Sequence, residues 1–130
     1  TMTRKKIIST AKAPSAIGAY SQAVKANGFL FISGQIPLVP ESMEVLNGTF
    51  EQQVNLVLNN LKEIIEESGS SLGDIVKINV YLKDLSNFDQ VNQCMEKFFE
   101  KPFPARAAVE VSRLPKDAEI EMDAIVLSDD

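Results

Sequence analysis

Two charged residues stand where a strand pattern does not require them. Arg106 opens the alternating run "FPARAAVEVS", and Glu121 lies inside the return run "AEIEMDAIV". The planar guanidinium of an arginine can clamp a carboxylate through two parallel hydrogen bonds, which a lysine cannot reproduce. A glutamate is one of the few groups in this chain that could do acid-base work beside it. The plainer alternative is an arginine whose stem covers apolar sheet, opposite acids that solvate a surface or form a structural ion pair. On the residues alone, a structural ion pair and a pocket both stand.

The remaining composition narrows which groups could share that work. There is no histidine in the 130 residues. That removes the commonest general base, a Ser-His-Asp triad and ordinary Cys/His zinc sites, so no metal site is expected. One cysteine, Cys94, cannot form an intrachain disulfide, and a reducing compartment is expected: the cytoplasm, with an organelle left open. It reads as an inert thiol on a helix. The net charge of −5 disfavours a nucleic-acid partner. No apolar run approaches the roughly 20 residues of a membrane span, and the start, "TMTRKKIISTAKAP", has no apolar stretch of the kind a secretory signal needs.

Four other residues are candidates for a pocket. Asn92 falls within or beside an apolar helical stripe, where an amide either ties down a neighbouring loop or contacts a ligand. In "FISGQIP", Gly34 permits a bulge or a close backbone approach, and Ser33 offers a hydroxyl. Tyr20 in "GAYSQAV" could line a pocket or serve only in packing.

The elements that must position these residues follow from periodicity. "AYSQAVKANGFLFISGQ" reads as a β-hairpin around Asn27-Gly28, a pair suited to a type I′ turn. "PLVPESMEVLNG" reads as a loop. Thr49 and Gln52 have capping-box spacing ahead of the stripe Val54, Val57, Leu58, Leu61, Ile64 and Ile65, which Gly69 closes. "DIVKINVYL" alternates as a strand, with Val76, Ile78, Val80 and Leu82 on one face. A second helix opens at Ser86, carries Phe88, Val91, Met95, Phe98 and Phe99, and stops by Pro102. The last two strands read as a hairpin. Its apolar pattern sets the expected register: Ala107, Val109 and Val111 share the core face with Ile120, Met122 and Ala124. Arg106, Ala108, Glu119, Glu121 and Asp123 would then share the other face. The expected order is β-β-α-β-α-β-β in one domain spanning residues 1–130. Both helices should cover one face, and a partner should cover the other.

"APSAIGAYSQAV", "FISGQIP", "DIVKINVYLKDLSNFDQVN" and above all "FPARAAVEVSRLPKDAEIEM" resemble the reactive intermediate deaminase A family, RidA/YjgF, from about residue 7 to 127. The resemblance implies an α+β, chorismate-mutase-like fold with a mixed six-strand sheet and two helices on one face. It implies homotrimers with active sites between neighbouring chains, and cofactor-independent hydrolysis of enamine and imine acids such as 2-aminoacrylate and 2-iminobutyrate to 2-keto acids and ammonia. Carried over by motif, Arg106 is the carboxylate-binding residue and Glu121 the water-positioning acid. Tyr20, Ser33, Gly34 and Asn92 fall at pocket positions, and Ala108 completes the cradle through its backbone. The chain departs from the pattern at Ala108, where many bacterial members have cysteine, and at Ala19, where proline is usual. Alternatives are a non-catalytic trimer that binds small acids, a chaperone-like holder, or a ribonuclease. The acidic balance and the missing histidine weigh against the last.

Overall fold

Asn27 and Gly28 adopt left-handed backbone angles, φ 52° and 85°. They turn β2 (Ala23–Ala26) back into β3 (Phe29–Gln35) as the sequence leads one to expect. A computed structural model describes residues 4–129 of the chain. Before this hairpin comes a strand absent from the expected order, β1 (Lys5–Ile8), paired antiparallel with β2 at the sheet's edge. Its two exposed lysines suit an edge position.

Helix α1 (Phe50–Glu67) begins with the expected capping box: Thr49 accepts from the Gln52 amide, and the Gln52 side chain accepts from Thr49. It ends on Gly69, φ 90°, with Ser70 N–H bonded to Ile65 and Gly69 N–H to Glu66, a Schellman closure. Helix α2 (Phe88–Phe98) is preceded by a short 3₁₀ turn, and the capping acceptor is Asp84 on the Ser86 amide, not Ser86 itself.

A mixed six-strand sheet completes the α+β fold with β4 (Ile75–Leu82), β5 (Ala105–Glu110) and β6 (Ile120–Leu127), in the order β1-β2-β3-β6-β4-β5. Leu30, Ile32, Ile78, Val80, Leu82, Ile120, Met122 and Val126 meet the apolar stripes of both helices in one core. In β4 the buried series starts at Ile75; Val76 sits in a register shift against β6 and is exposed, contrary to the expected alternation.

The larger correction concerns the last two strands, which are not a hairpin. β6 lies between β3 and β4, antiparallel to both, while β5 runs parallel to β4 at the far edge. Ala108 therefore does not oppose Glu121. In register, Ile78, Val80 and Leu82 pair with Arg106, Ala108 and Glu110, so these three share the helix-side face. Tyr81 pairs with both Val109 and Glu121, so Ala107 and Val109 share the open face with Glu121 and Asp123. That open face is markedly apolar: Ile7, Phe31, Val109 and Leu127 are each between 46% and 51% exposed on it.

Candidate active site

Four of the predicted pocket residues meet at one end of the sheet. Tyr20, Ser33, Gly34 and Glu121 line a cleft of about 690 Å³ with Ile17, Leu38, Met43 and Lys116. A bulge shapes it: between Ile32 and Gln35 two residues of β3, Ser33 and Gly34, stand against one of β6. Ser33 anchors the bulge. Its amide donates to the Gln22 carbonyl at 2.9 Å and its hydroxyl to the Ser21 carbonyl at 2.6 Å. The hydroxyl proton is thus committed, and Ser33 faces a ligand as an acceptor only.

Gly34 is required by Glu121. A Cβ built at residue 34 would stand 2.5 Å from Glu121 Oε2 and 2.8 Å from its carboxyl carbon. The missing side chain is what lets the carboxylate lie against the bulge. Half-burial there, and secondarily the charge of Asp123, push the Glu121 pKa above the ordinary glutamate value. Asp123 is itself held, its two oxygens accepting from Asn79 Nδ2 at 2.8 Å and the Tyr81 hydroxyl at 2.9 Å. Gln22, unremarked in the sequence, is buried and fixes the cleft wall: its side-chain amide bonds Thr10, Ala13 and Pro14.

Arg106 is elsewhere. It lies on the opposite face of the sheet and two strands away from Glu121, about 10 Å in strand spacings alone. With Ala108, Phe88 and Asp89 it lines a second cleft of about 530 Å³, and with Asn92 and Met95 a third of about 350 Å³. Nη1 donates to Asn92 Oδ1 at 2.8 Å, and the guanidinium carbon stands 4.6 Å from the centre of the Phe88 ring. Among the described residues no carboxylate pairs with it. Asn92 is thus not the buried amide that ties a loop: it is partly exposed, lines the cleft beside Arg106 and holds the arginine. The buried amides that tie loops are Gln22 and Asn60, the latter's Nδ2 donating to the Leu38 carbonyl at 3.0 Å. Phe88 was legible only as core; its ring also serves the arginine.

Cys94 is buried in the core, where loss of hydration raises the thiol pKa, as expected of an inert cysteine. Among the described residues no helix is long and apolar enough to cross a membrane.

Comparison with known proteins agrees with this architecture. Residues 10–128 match the family model described as endoribonuclease L-PSP. A RutC family protein of Pyrococcus abyssi is 52% identical over 121 residues, covering 93% of this chain and 95% of its own. The human 2-iminobutanoate/2-iminopropanoate deaminase is 41% identical over 123 residues, 95% of this chain and 90% of its own. The crystal structure of RidA from the Antarctic bacterium Psychrobacter sp. superposes with a TM-score of 0.90 at 46% identity, over 94% of this chain and 98% of that one. A bulged strand under Glu121, an edge strand bearing Arg106 and kinship along nearly the whole chain lead to one assignment: it belongs to the endoribonuclease L-PSP family, that of the RidA/YjgF proteins.

Proposed function

We propose that the protein hydrolyses small imine and enamine acids of the 2-iminobutyrate and 2-aminoacrylate class to 2-keto acids and ammonia. The observation that carries this reading is the pair of half-sites. One offers an oriented arginine with no carboxylate partner among the described residues. The other offers a half-buried glutamate of raised pKa in a cleft. One chain keeps them apart, so a working site needs Arg106 of one copy beside Glu121 of another. The apolar open face gives a reason for copies to associate, and a homotrimer is the proposed assembly.

In the proposed mechanism Arg106 holds the substrate carboxylate and fixes its orientation. Glu121 takes a proton from water as the oxygen adds to the imine carbon. Glu121 returns that proton to the imine nitrogen, giving the neutral carbinolamine; on collapse the hydroxyl proton passes to the amine nitrogen, the C–N bond breaks, and ammonia leaves as the C=O bond forms. Enamine substrates enter after tautomerising to the imine. Imines hydrolyse readily unaided, so a positioned base suffices. The family model's name speaks of a ribonuclease, but a net charge of −5 disfavours an RNA partner, and a chain without histidine lacks the usual base for RNA cleavage.

The test is direct. Generate 2-iminobutyrate in situ and follow 2-oxobutyrate and ammonia with and without the protein, alongside light scattering. Acceleration by a three-chain particle is expected; a stable, active monomer would contradict the shared site.

Two substitutions test the parts. Gly34→Ala should swing the Glu121 carboxylate out of place, since the clash is with a flexible side chain and not with backbone. Turnover is expected to fall on the order of 100-fold, as for a reacting group misplaced by about 1 Å, with the thermal midpoint little changed. Cys94→Ala should retain near-full activity at a stability cost of about 1 kcal/mol for the small cavity. A folded, inactive Cys94→Ala protein would overturn the water mechanism.

A further inference from the structure

We propose that Phe88 is a positioning residue for Arg106, the plate on which the guanidinium lies, acting with an Asn92–Glu96 relay that fixes the rotation of the fork. This rests on the reading of Arg106 as the carboxylate clamp and says how that clamp is built.

An exposed arginine is a poor clamp by default, because its long stem samples many rotamers. Here three contacts converge on it. The Phe88 ring lies 4.6 Å below the guanidinium carbon, within cation–π range. Nη1 donates to Asn92 Oδ1 at 2.8 Å and approaches Met95 Sδ at 3.8 Å. Asn92 Nδ2 donates in turn to Glu96 Oε1 at 2.8 Å. A carboxylate accepts only, so this second bond settles which end of the amide faces the arginine.

Phe88, Asn92 and Glu96 follow one another at four-residue steps on α2, which stacks them on one helix face. Phe88 is partly buried against the core and cannot swing away with the arginine. The plate fixes the plane of the guanidinium, and Asn92 fixes its rotation within that plane. Both hydrogen bonds to described residues leave from Nη1, so the Nη2 and Nε donors are the ones left for a substrate.

The intervening amide matters for charge. Glu96 reaches the arginine only through Asn92, so its carboxylate steadies the fork without pairing with it. A carboxylate directly on Nη1 would orient the arginine equally well but would compete with the substrate for its charge.

The experiment titrates the assembled protein with 2-oxobutyrate by calorimetry and measures KM and kcat for 2-iminobutyrate. The variants are Phe88→Leu, Phe88→Tyr, Asn92→Asp and Arg106→Ala. Phe88→Leu, which keeps apolar volume but removes the π face, is expected to weaken 2-oxobutyrate binding about tenfold and to raise KM more than it lowers kcat. Phe88→Tyr should restore both. Asn92→Asp should weaken binding at unchanged thermal midpoint, because its new carboxylate competes for Arg106. Arg106→Ala should abolish detectable binding. If Arg106→Ala loses binding but Phe88→Leu does not, or if Phe88→Tyr is as weak as Phe88→Leu, the plate is ordinary packing and the proposal falls. If Arg106→Ala binds normally, the clamp itself falls and the plate with it.

Discussion

Arg106→Lys is expected to lower kcat/KM by roughly 30- to 150-fold, corresponding to about 2–3 kcal/mol for a charge-assisted contact left poorly made. Lysine keeps the positive charge, so a site that used only charge would lose little. What disappears is the plane. An ammonium has no flat face to lie on Phe88 and no fork that can bond Asn92 on one side while offering two parallel donors on the other. The loss should appear mainly in KM and in 2-oxobutyrate affinity. Stability should hardly move, because Arg106 is exposed and forms no ion pair among the described residues. Retention of more than half the activity would mean that the substrate is not held by a bidentate fork.

The contrast between what was legible in the sequence and what was not follows the range of the interactions. The capping box at Thr49, the Asn27-Gly28 turn and the stripe of α1 are local: neighbouring residues determine them, and they stand as expected. The pairing of β5 is not local. Two alternating runs joined by a short turn segment look like a hairpin, yet β6 inserts between β3 and β4, and β5 closes a parallel crossover with β4 through α2. The alternation of Ala107, Val109 and Val111 could not reveal this. No residue of the edge strand β5 is fully buried, so neither of its faces carries the contrast on which a core assignment depends. Of its apolar members, Ala105, Ala107 and Val109 lie instead on the open face, and only the small Ala108 faces the helices. The same inversion moved Arg106 away from Glu121 and turned a supposed pair into two half-sites. Phe88 and Asn92 were visible at four-residue spacing, but without the true position of Arg106 nothing distinguished a plate from a core ring.

Glu121→Gln is expected to separate binding from chemistry. The amide keeps the shape of the side chain and can still orient a water, but it cannot take a proton. Turnover should fall by roughly 10²- to 10⁴-fold, the usual contribution of a positioned general base, while 2-oxobutyrate still binds. The pH dependence gives an independent reading. Burial first, and the Asp123 charge second, raise the Glu121 pKa. The base must be ionised, so activity should fall as pH drops through that raised value, on an acid limb lying above the ordinary glutamate range. Asp123→Asn removes the nearby negative charge and should move the limb toward lower pH. Stability should run the other way. A carboxyl whose folded pKa is raised stabilises the fold fully below its unfolded pKa, and that contribution is lost as pH rises through the folded value. At neutral pH Glu121 is therefore ionised at a cost to the fold, so Glu121→Gln should melt higher than the parent there, with the difference fading in acid. A variant that is less active and more stable at neutral pH is the signature of a carboxylate held where the chemistry needs it. Normal turnover in Glu121→Gln would instead leave it a surface acid of no catalytic consequence.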